Sequence, residues 1–276
     1  MIKIEQEKCN ACGWCIKICH EHCMFLNDNI LSIDYTYCST CVQCIAICPQ
    51  HALTWDSHKP EKFDKTKYPD CSQLDELLKE RRTIRDYTGK KIERSILKEV
   101  TAYAIYAPTH NFNFRAVIID DDQIIDMADM LIFKFSDTIY KWIYKSGIFH
   151  FLMKRFTPSR EHEFYKAKSK LEVVRKRQHG FKTRPAAIIL IVGDYRVPLS
   201  LESAQYALYN IDLYAQVKGL ACRNLGGNQR VLNRNKKFRK ELELKKHEKI
   251  FGTLTLGYPA VKFRNKVNGK QIPIQI

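Results

Sequence analysis

CNACGWCIKIC, residues 9–19, and CSTCVQCIAICP, residues 38–49, are two copies of one pattern. Each sets four cysteines at the spacing C-x-x-C-x-x-C-x-x-x-C: Cys9, Cys12, Cys15 and Cys19 in the first, Cys38, Cys41, Cys44 and Cys48 in the second. Eight of the 11 cysteines fall in these quartets, and only Cys71 and Cys222 lie beyond residue 60. A secreted disulfide scaffold spreads its cysteines over the whole fold, and a reducing cytosol keeps thiols free, so metal ligation is the expected use. Thiolate sulfur is the soft donor that iron–sulfur clusters require. A C-x-x-C-x-x-C loop can grip three corners of one cubane from a single turn of chain. A pair of zinc sites, the alternative, needs only C-x-x-C…C-x-x-C and leaves the third and fourth cysteines of each quartet unexplained. Each quartet is trailed by a short apolar stretch, Cys23–Leu26 and Ala52–Trp55, as two copies of one small unit would be.

Residues 1–56 resemble the bacterial two-cluster ferredoxins, in which the fourth cysteine of each quartet ligates the other cluster. That resemblance implies two 4Fe–4S clusters with crossed ligands. Cys9, Cys12, Cys15 and Cys48 would hold the first, and Cys38, Cys41, Cys44 and Cys19 the second. The second quartet ends in Cys48-Pro49, as the family's does, whereas the first ends in Cys19-His20. Cys23 reads as a buried apolar residue, and His20 and His22 as surface residues.

Beyond this module (residues 1–58) the polar, charged stretch 59–71 reads as a linker, and residues 72–276 as a second domain. A helix is expected from Ser72, its N-cap, to Arg82, with Leu74, Leu77 and Leu78 as its apolar stripe, and another from Glu93 to Tyr106. RAVII (Arg115–Ile119) reads as a buried strand and AAIILIV (Ala186–Val192) as the clearest strand of the chain. Between them lies a long helical region. Ser200 is expected to cap a helix that ends by Gly219, and a last strand is expected over Gly252–Leu256. Helices interleaved with a few strands make an α+β fold.

RRTIRDY (Arg81–Tyr87) sets three arginines and a hydroxyl within five residues, a receptor suited to a phosphate dianion; a basic, solvated helix end is the plainer alternative. The stretch resembles the R-R-[ST]-x-R-x-[FY] signature of the nitroreductase family. In that family's order follow Ala107–Asn113, similar to its A-P-[ST]-x-x-N-x-Q loop but with Asn113 in place of glutamine; Gly219–Cys222 leading to Gly226-Gly227; and Gly252–Pro259 with Lys262 and Arg264 after it. The resemblance implies a mainly antiparallel central sheet flanked by helices and an FMN at the interface of a homodimer. Arg81, Arg82, Thr83 and Arg85 would hold the phosphate and ribityl chain, with Lys262 or Arg264 adding charge. Pro108, Thr109, Asn111 and Asn113 would come from the facing subunit, and Gly226 and Gly227 would admit backbone to the ring. The whole chain is then similar to ferredoxin–nitroreductase fusions.

The formal net charge is +16. From Lys134 to Arg184 there are 14 Lys/Arg against four Asp/Glu, an excess of 10. Within residues 133–184 this charge is mixed with aromatics such as Trp142, Phe149, Phe151 and Phe156. The segment reads as a helical bundle with a solvated basic face, or as a lid over the flavin selecting an anionic or aromatic acceptor. No nucleic-acid-binding motif accompanies the charge. MIKIEQEKC has no apolar stretch of a signal peptide and no run of 18 apolar residues occurs, so a cytoplasmic protein without a membrane span is expected. The resemblances imply an oxidoreductase in which reduced ferredoxin or a similar donor feeds the clusters, and FMN then reduces a nitroaromatic, enone or quinone-like acceptor. An electron-transfer or redox-sensing protein, or a flavin-modifying enzyme, are the other readings. No G-x-G-x-x-G fingerprint for a nicotinamide cofactor is present.

Overall fold

A computed structural model describes residues 1–56, 58–109, 113–156, 159, 161–267 and 272–275. The chain divides into two compact units, Met1–Gln73 and Leu74–Thr109 with Asn113–Ile276.

In the first unit the sequence repeat becomes a structural one. Helices α1 (Trp14–Ile18) and α2 (Gln43–Ile47) each start between the second and third cysteines of a quartet. Strand β1 (Ile2–Ile4) pairs antiparallel with β4 (Leu53–Trp55), and β2 (Met24–Asn27) with β3 (Ile30–Ile33). Ile2, Met24, Leu31, Ile45 and Leu53 bury one core, joined by Cys15 and Cys44. The two cysteine loops also share their backbone. Ala11 and Thr40 have φ of 55° and 55°, Gly13 and Val42 of 77° and 55°, and His22 and His51 of 52° and 50°. Five of these six residues carry a side chain, which ordinarily disfavours left-handed backbone, so the strain recurs by position rather than by residue type.

The second unit is an antiparallel sheet between two helical layers. Helix α3 (Cys71–Glu80) is capped by Asp70, whose Oδ1 accepts from Gln73 N at 2.8 Å. The expected cap, Ser72, instead donates its hydroxyl to the same carboxylate. Helix α4 (Arg94–Ala102) is followed by a 3₁₀ turn to Tyr106. Strand β5 (Phe114–Ile119) leads to α5 (Asp122–Ile139), capped by Asp121, a π-helical turn (Tyr140–Tyr144), α6 (Gly147–Phe156) and α7 (Glu161–Arg177). Then come β6 (Ala187–Asp194), α8 (Ser200–Val217), β7 (Ala221–Asn224), α9 (Gln229–Arg234), α10 (Lys236–Glu241) and β8 (Glu248–Gly257). The strand order is β5-β6-β8-β7, every neighbouring pair antiparallel. No helix among the described residues is long and apolar enough to cross a membrane.

Central β6 is buried along its length because both faces are covered. Ile189 and Ile191 face α4 and α8, through Leu97, Val100, Leu208 and Ile211, while Ile188, Leu190 and Val192 face α5, α9 and α10, through Ile125, Leu232 and Phe238. Strand β5 differs from expectation. It is an edge strand, and of its residues only Ile119 is buried. Ser200 does not cap α8 either; it is the first helical residue, and its hydroxyl donates back to Val197 O at 2.8 Å.

Arg115 on β5 reaches Glu248 on β8 with two contacts, Nε–Oε1 at 2.9 Å and Nη2–Oε2 at 3.1 Å. This bidentate pair, with a smaller share from the Lys245 amide, lowers the Glu248 carboxyl from its ordinary 4.5 to about 2. Because the folded value is the depressed one, the stabilisation is complete above about 4.5 and is lost as pH falls towards 2. Urea unfolding of wild type between these pH values should therefore weaken more steeply than that of Glu248→Gln; equal slopes would remove Glu248 from the acid response.

Candidate functional site

The segment Arg81–Tyr87 wraps around the β7 edge of the sheet and is stitched there by backbone. Ile84 N donates to Cys222 O at 3.1 Å, Thr88 N to Tyr258 O at 3.0 Å, and Ala260 N to Asp86 O at 2.9 Å. Tyr87 is the anchor. Its hydroxyl lies 2.9 Å from Thr255 Oγ1, and its ring fills the space above Gly257, where a Cβ would stand 2.5 Å from Tyr87 Cδ1. Gly252, five residues earlier on β8, is needed for a similar reason, since a Cβ there would stand 2.6 Å from Leu208 Cδ1 of α8.

This wrapping brings Arg82 and Lys262, 180 residues apart in the chain, onto one cavity of about 420 Å³. Its other walls include Glu80, Asp212 and Gln216 of α8, and Gly219–Cys222. The volume is in the range of small-molecule sites. Arg82 donates only to the carbonyls of Lys79 and Arg81, and among the described residues no carboxylate pairs with Arg82, Lys262 or Arg264. Arg81 turns aside to Asp212, Nη1–Oδ2 3.5 Å. Burial raises the Asp212 carboxyl, and Arg81 opposes that rise. Cys222, buried beside it, is pushed well above the usual thiol range by burial and then by Asp212. Thr83 and Arg85 are exposed, and Arg264 is not among the cavity walls. Gly226 and Gly227 follow β7, and a Cβ on either would meet nothing within 4 Å. Pro108 and Asn113 are exposed, while the Thr109 hydroxyl is buried with no hydrogen-bond partner among the described residues. Asn111 lies outside the described residues.

Donor set and space fit a flavin phosphate: two cations without a carboxylate partner among the described residues stand on a cavity of suitable volume, while Gly226 and Gly227 are not among its walls. Sequence reasoning missed Asp212, which had a signal, a lone acid on the apolar stripe of α8.

In the first unit, Cys9, Cys12, Cys15 and Cys48 line one small cavity with Gly13, Leu26 and Leu53. The Cys44 thiol is pushed up to about 12, first by burial and then by Cys41, Cys19 and Cys38. Cys48 thus stands with the first quartet, while Cys19 is near enough to Cys44 of the second to act on its thiol. Cys23 N donates to Cys19 Sγ at 3.3 Å and Ala52 N to Cys48 Sγ at 3.4 Å, the same contact in both repeats. Among the described residues no group of three or more His, Cys, Asp or Glu closes on a single ion position. The cysteines present the all-thiolate donor set of a cubane.

No curated protein sequence matches the chain. Solved structures match its fold. A nitroreductase with bound FMN from Bacteroides fragilis superposes with a TM-score of 0.51 at 16% identity, over 74% of this chain and 99% of that one. One from Desulfitobacterium hafniense, also with bound FMN, gives 0.53 at 14% over 72% and 97%. Iodotyrosine deiodinase bound to FMN and 3-iodo-L-tyrosine gives 0.53 at 19% over 73% and 97%. These likenesses establish the α+β fold of an antiparallel sheet flanked by helices. The nitroreductase family profile matches residues 78–258, from the turn before Arg81 to the end of β8. With the strap, the α8 side of the cavity and the closing strand inside that span, this chain belongs to the nitroreductase family.

Proposed function

We propose that the chain is an iron–sulfur flavoprotein oxidoreductase, in which two 4Fe–4S clusters deliver electrons to an FMN that reduces a small organic acceptor such as a nitroaromatic, enone or quinone. The observation that carries the cluster half of the reading is that Cys48 stands with the first quartet, while Cys19 acts on Cys44 of the second. The flavin half is supported by family membership and by the unpaired cations at the cavity. Clusters move electrons singly and a flavin accepts them singly and releases them in pairs, which is the chemistry the bound groups would supply.

The protein's own part is to bind, orient and tune. Cys9, Cys12, Cys15 and Cys48 would hold one cluster, and Cys38, Cys41, Cys44 and Cys19 the other. The amides of Cys23 and Ala52 would draw charge from Cys19 and Cys48 sulfur, which favours the reduced state. Arg82 and Lys262 would take the flavin phosphate, with Thr83 and Arg264 at its margin, while Asp212 fixes Arg81. Gly226 and Gly227 would let backbone approach the ring. Pro108, Thr109, Asn111 and Asn113 would face the flavin of a second copy in a homodimer, where the buried Thr109 hydroxyl would find its partner. Reduced ferredoxin or a similar protein is the donor.

Purified without oxygen, the chain should contain iron, sulfide and FMN, and should turn over an acceptor when driven by reduced ferredoxin. Zinc in place of iron, or a colourless protein, would overturn the reading.

A further inference from the structure

The helical segment between β5 and β6 turns an apolar helix face outwards. One side of α6 is anchored: the Phe149 ring packs on Phe164 of α7, centroids 6.3 Å apart, and Phe164 also takes Tyr144 at 4.8 Å. Another side faces solvent. Phe151 and Leu152 lie three and four residues after Ile148, and Arg155 and Phe156 three and four after Leu152, so these five share one face of the helix. Ile148 is 74% exposed, Phe151 69% and Phe156 72%, and Leu152 is exposed as well. The π-helical turn that leads into α6 leaves Trp142 78% exposed. Large apolar residues scattered singly over a surface need no explanation, but four on one face of a short helix make a patch that calls for a partner.

The charge left over on this segment is positive. Arg155 lies within the apolar face, its guanidinium 5.9 Å from the Phe156 ring centroid, and Lys145 precedes the helix by two residues. Among the described residues no carboxylate pairs with Lys134, Lys145, Arg155, Lys170 or Lys176, all exposed. Asp137, by contrast, is taken by Lys141 and Arg175, and Glu172 by the Tyr140 hydroxyl. From Lys134 to Lys176 there are eight lysines and three arginines. Lysine is depleted from protein–protein interfaces, where its strongly hydrated ammonium would have to be dried. A lipid surface makes no such demand: the ammoniums stay in water among the phosphates while apolar side chains enter the acyl boundary. Tryptophan suits that boundary, with an apolar ring and one polar N–H. The ten residues of α6 extend about 15 Å, too short to cross a bilayer and long enough to lie on one.

We propose that α6 and the turn before it form an interfacial anchor, which lays Trp142, Ile148, Phe151 and Phe156 into the surface of a bilayer rich in anionic phospholipid, so that the chain works on a membrane without spanning it. The inference goes beyond the cluster and flavin chemistry and stands without either. A second copy seated face to face is disfavoured, because a self-complementary contact would set Arg155 and the lysines against their own kind.

The test is co-sedimentation of the full chain with vesicles of phosphatidylcholine alone and of equimolar phosphatidylcholine and phosphatidylglycerol. Wild type should bind the anionic vesicles about tenfold more tightly than the neutral ones, and rising salt should weaken that binding. Tryptophan emission should shift to the blue on binding, and Trp142→Phe should abolish most of the shift although Trp14 and Trp55 remain. Phe151→Ser combined with Phe156→Ser should lower the affinity roughly a hundredfold, since two rings no longer leave water. Lys145→Gln combined with Arg155→Gln should lower the affinity for anionic vesicles roughly tenfold and leave the neutral ones unchanged. All four side chains are exposed, so melting temperatures should stay at the wild-type value and separate lost binding from lost fold. Equal binding to both kinds of vesicle, or binding to neither, would overturn the inference. So would vesicle binding that survives both double variants, which would place the attachment elsewhere. A wild-type dimer that the phenylalanine variant cannot form would give the face to a second copy and overturn it too. A raised KM for a nitroaromatic in that variant, with vesicle binding intact, would return α6 to the role of a lid over the flavin.

Discussion

Cys48→Ala should lose about half of the iron of the wild-type chain and the electron-paramagnetic signal of one reduced cluster, the same signal that Cys9→Ala abolishes. Cys19→Ala should abolish the other signal, together with Cys38→Ala. The pairing follows from the space the cysteines share. Cys48 completes the cavity formed by Cys9, Cys12 and Cys15, although 29 residues separate the two quartets' first cysteines, while Cys19 is near enough to Cys44 to act on its thiol. Quantifying iron, sulfide and zinc in each anaerobic variant, and recording spectra after dithionite reduction, checks it. If Cys19→Ala and Cys9→Ala removed one and the same signal, ligation would be uncrossed, and the placement of Cys48 would have no bearing on the metal.

The second large effect concerns the flavin. Arg82→Ala and Lys262→Ala should each weaken FMN binding roughly ten- to a hundredfold, since a charged hydrogen bond to phosphate contributes about 1.5–3 kcal/mol. Neither side chain has a carboxylate partner among the described residues, so removing it should leave no opposite charge stranded and should not unfold the chain. Quenching of flavin fluorescence on titration into flavin-free protein measures the change. Riboflavin, which lacks the phosphate, should bind wild type and both variants alike. An unchanged FMN affinity would mean that the phosphate lies elsewhere.

What could be read from sequence follows the range over which each signal acts. The cysteine quartets, the apolar run of β6 and the stripe of α8 are local patterns, and each marks its element. On the α5 side of the core the long helical region between two strands was legible, whereas α9 and α10, which bring Leu232 and Phe238 to the same core, were not. Strand β7 is absent from the expected strands, because four residues ending in Arg223-Asn224 carry no alternation and their pairing partner, β8, lies about thirty residues on. RAVII looked buried because edge and central strands can have the same composition, and only sheet order distinguishes them. Ser72 and Ser200 looked like caps, but in each case a neighbouring group took over: the Asp70 carboxylate in one, the Val197 carbonyl in the other. Arg82 could be named as a candidate phosphate ligand from its motif, and the structure sets it on the wall of the cavity. That Arg81 would be drawn off by Asp212, 131 residues away, could not be foreseen.

The strap around Tyr87 also bears on the order of events during synthesis. Its ties to Thr183 come from chain made 96 and 98 residues later, and those to Cys222, Thr255, Tyr258 and Ala260 from chain made at least 130 residues later. The strands, helices and buried core of the cysteine unit all lie between Ile2 and Trp55 and can be complete while the ribosome is still working. The flavin cavity cannot take shape until β8 has left the exit tunnel. A nascent chain should therefore be able to acquire iron and sulfur well before it can acquire a flavin.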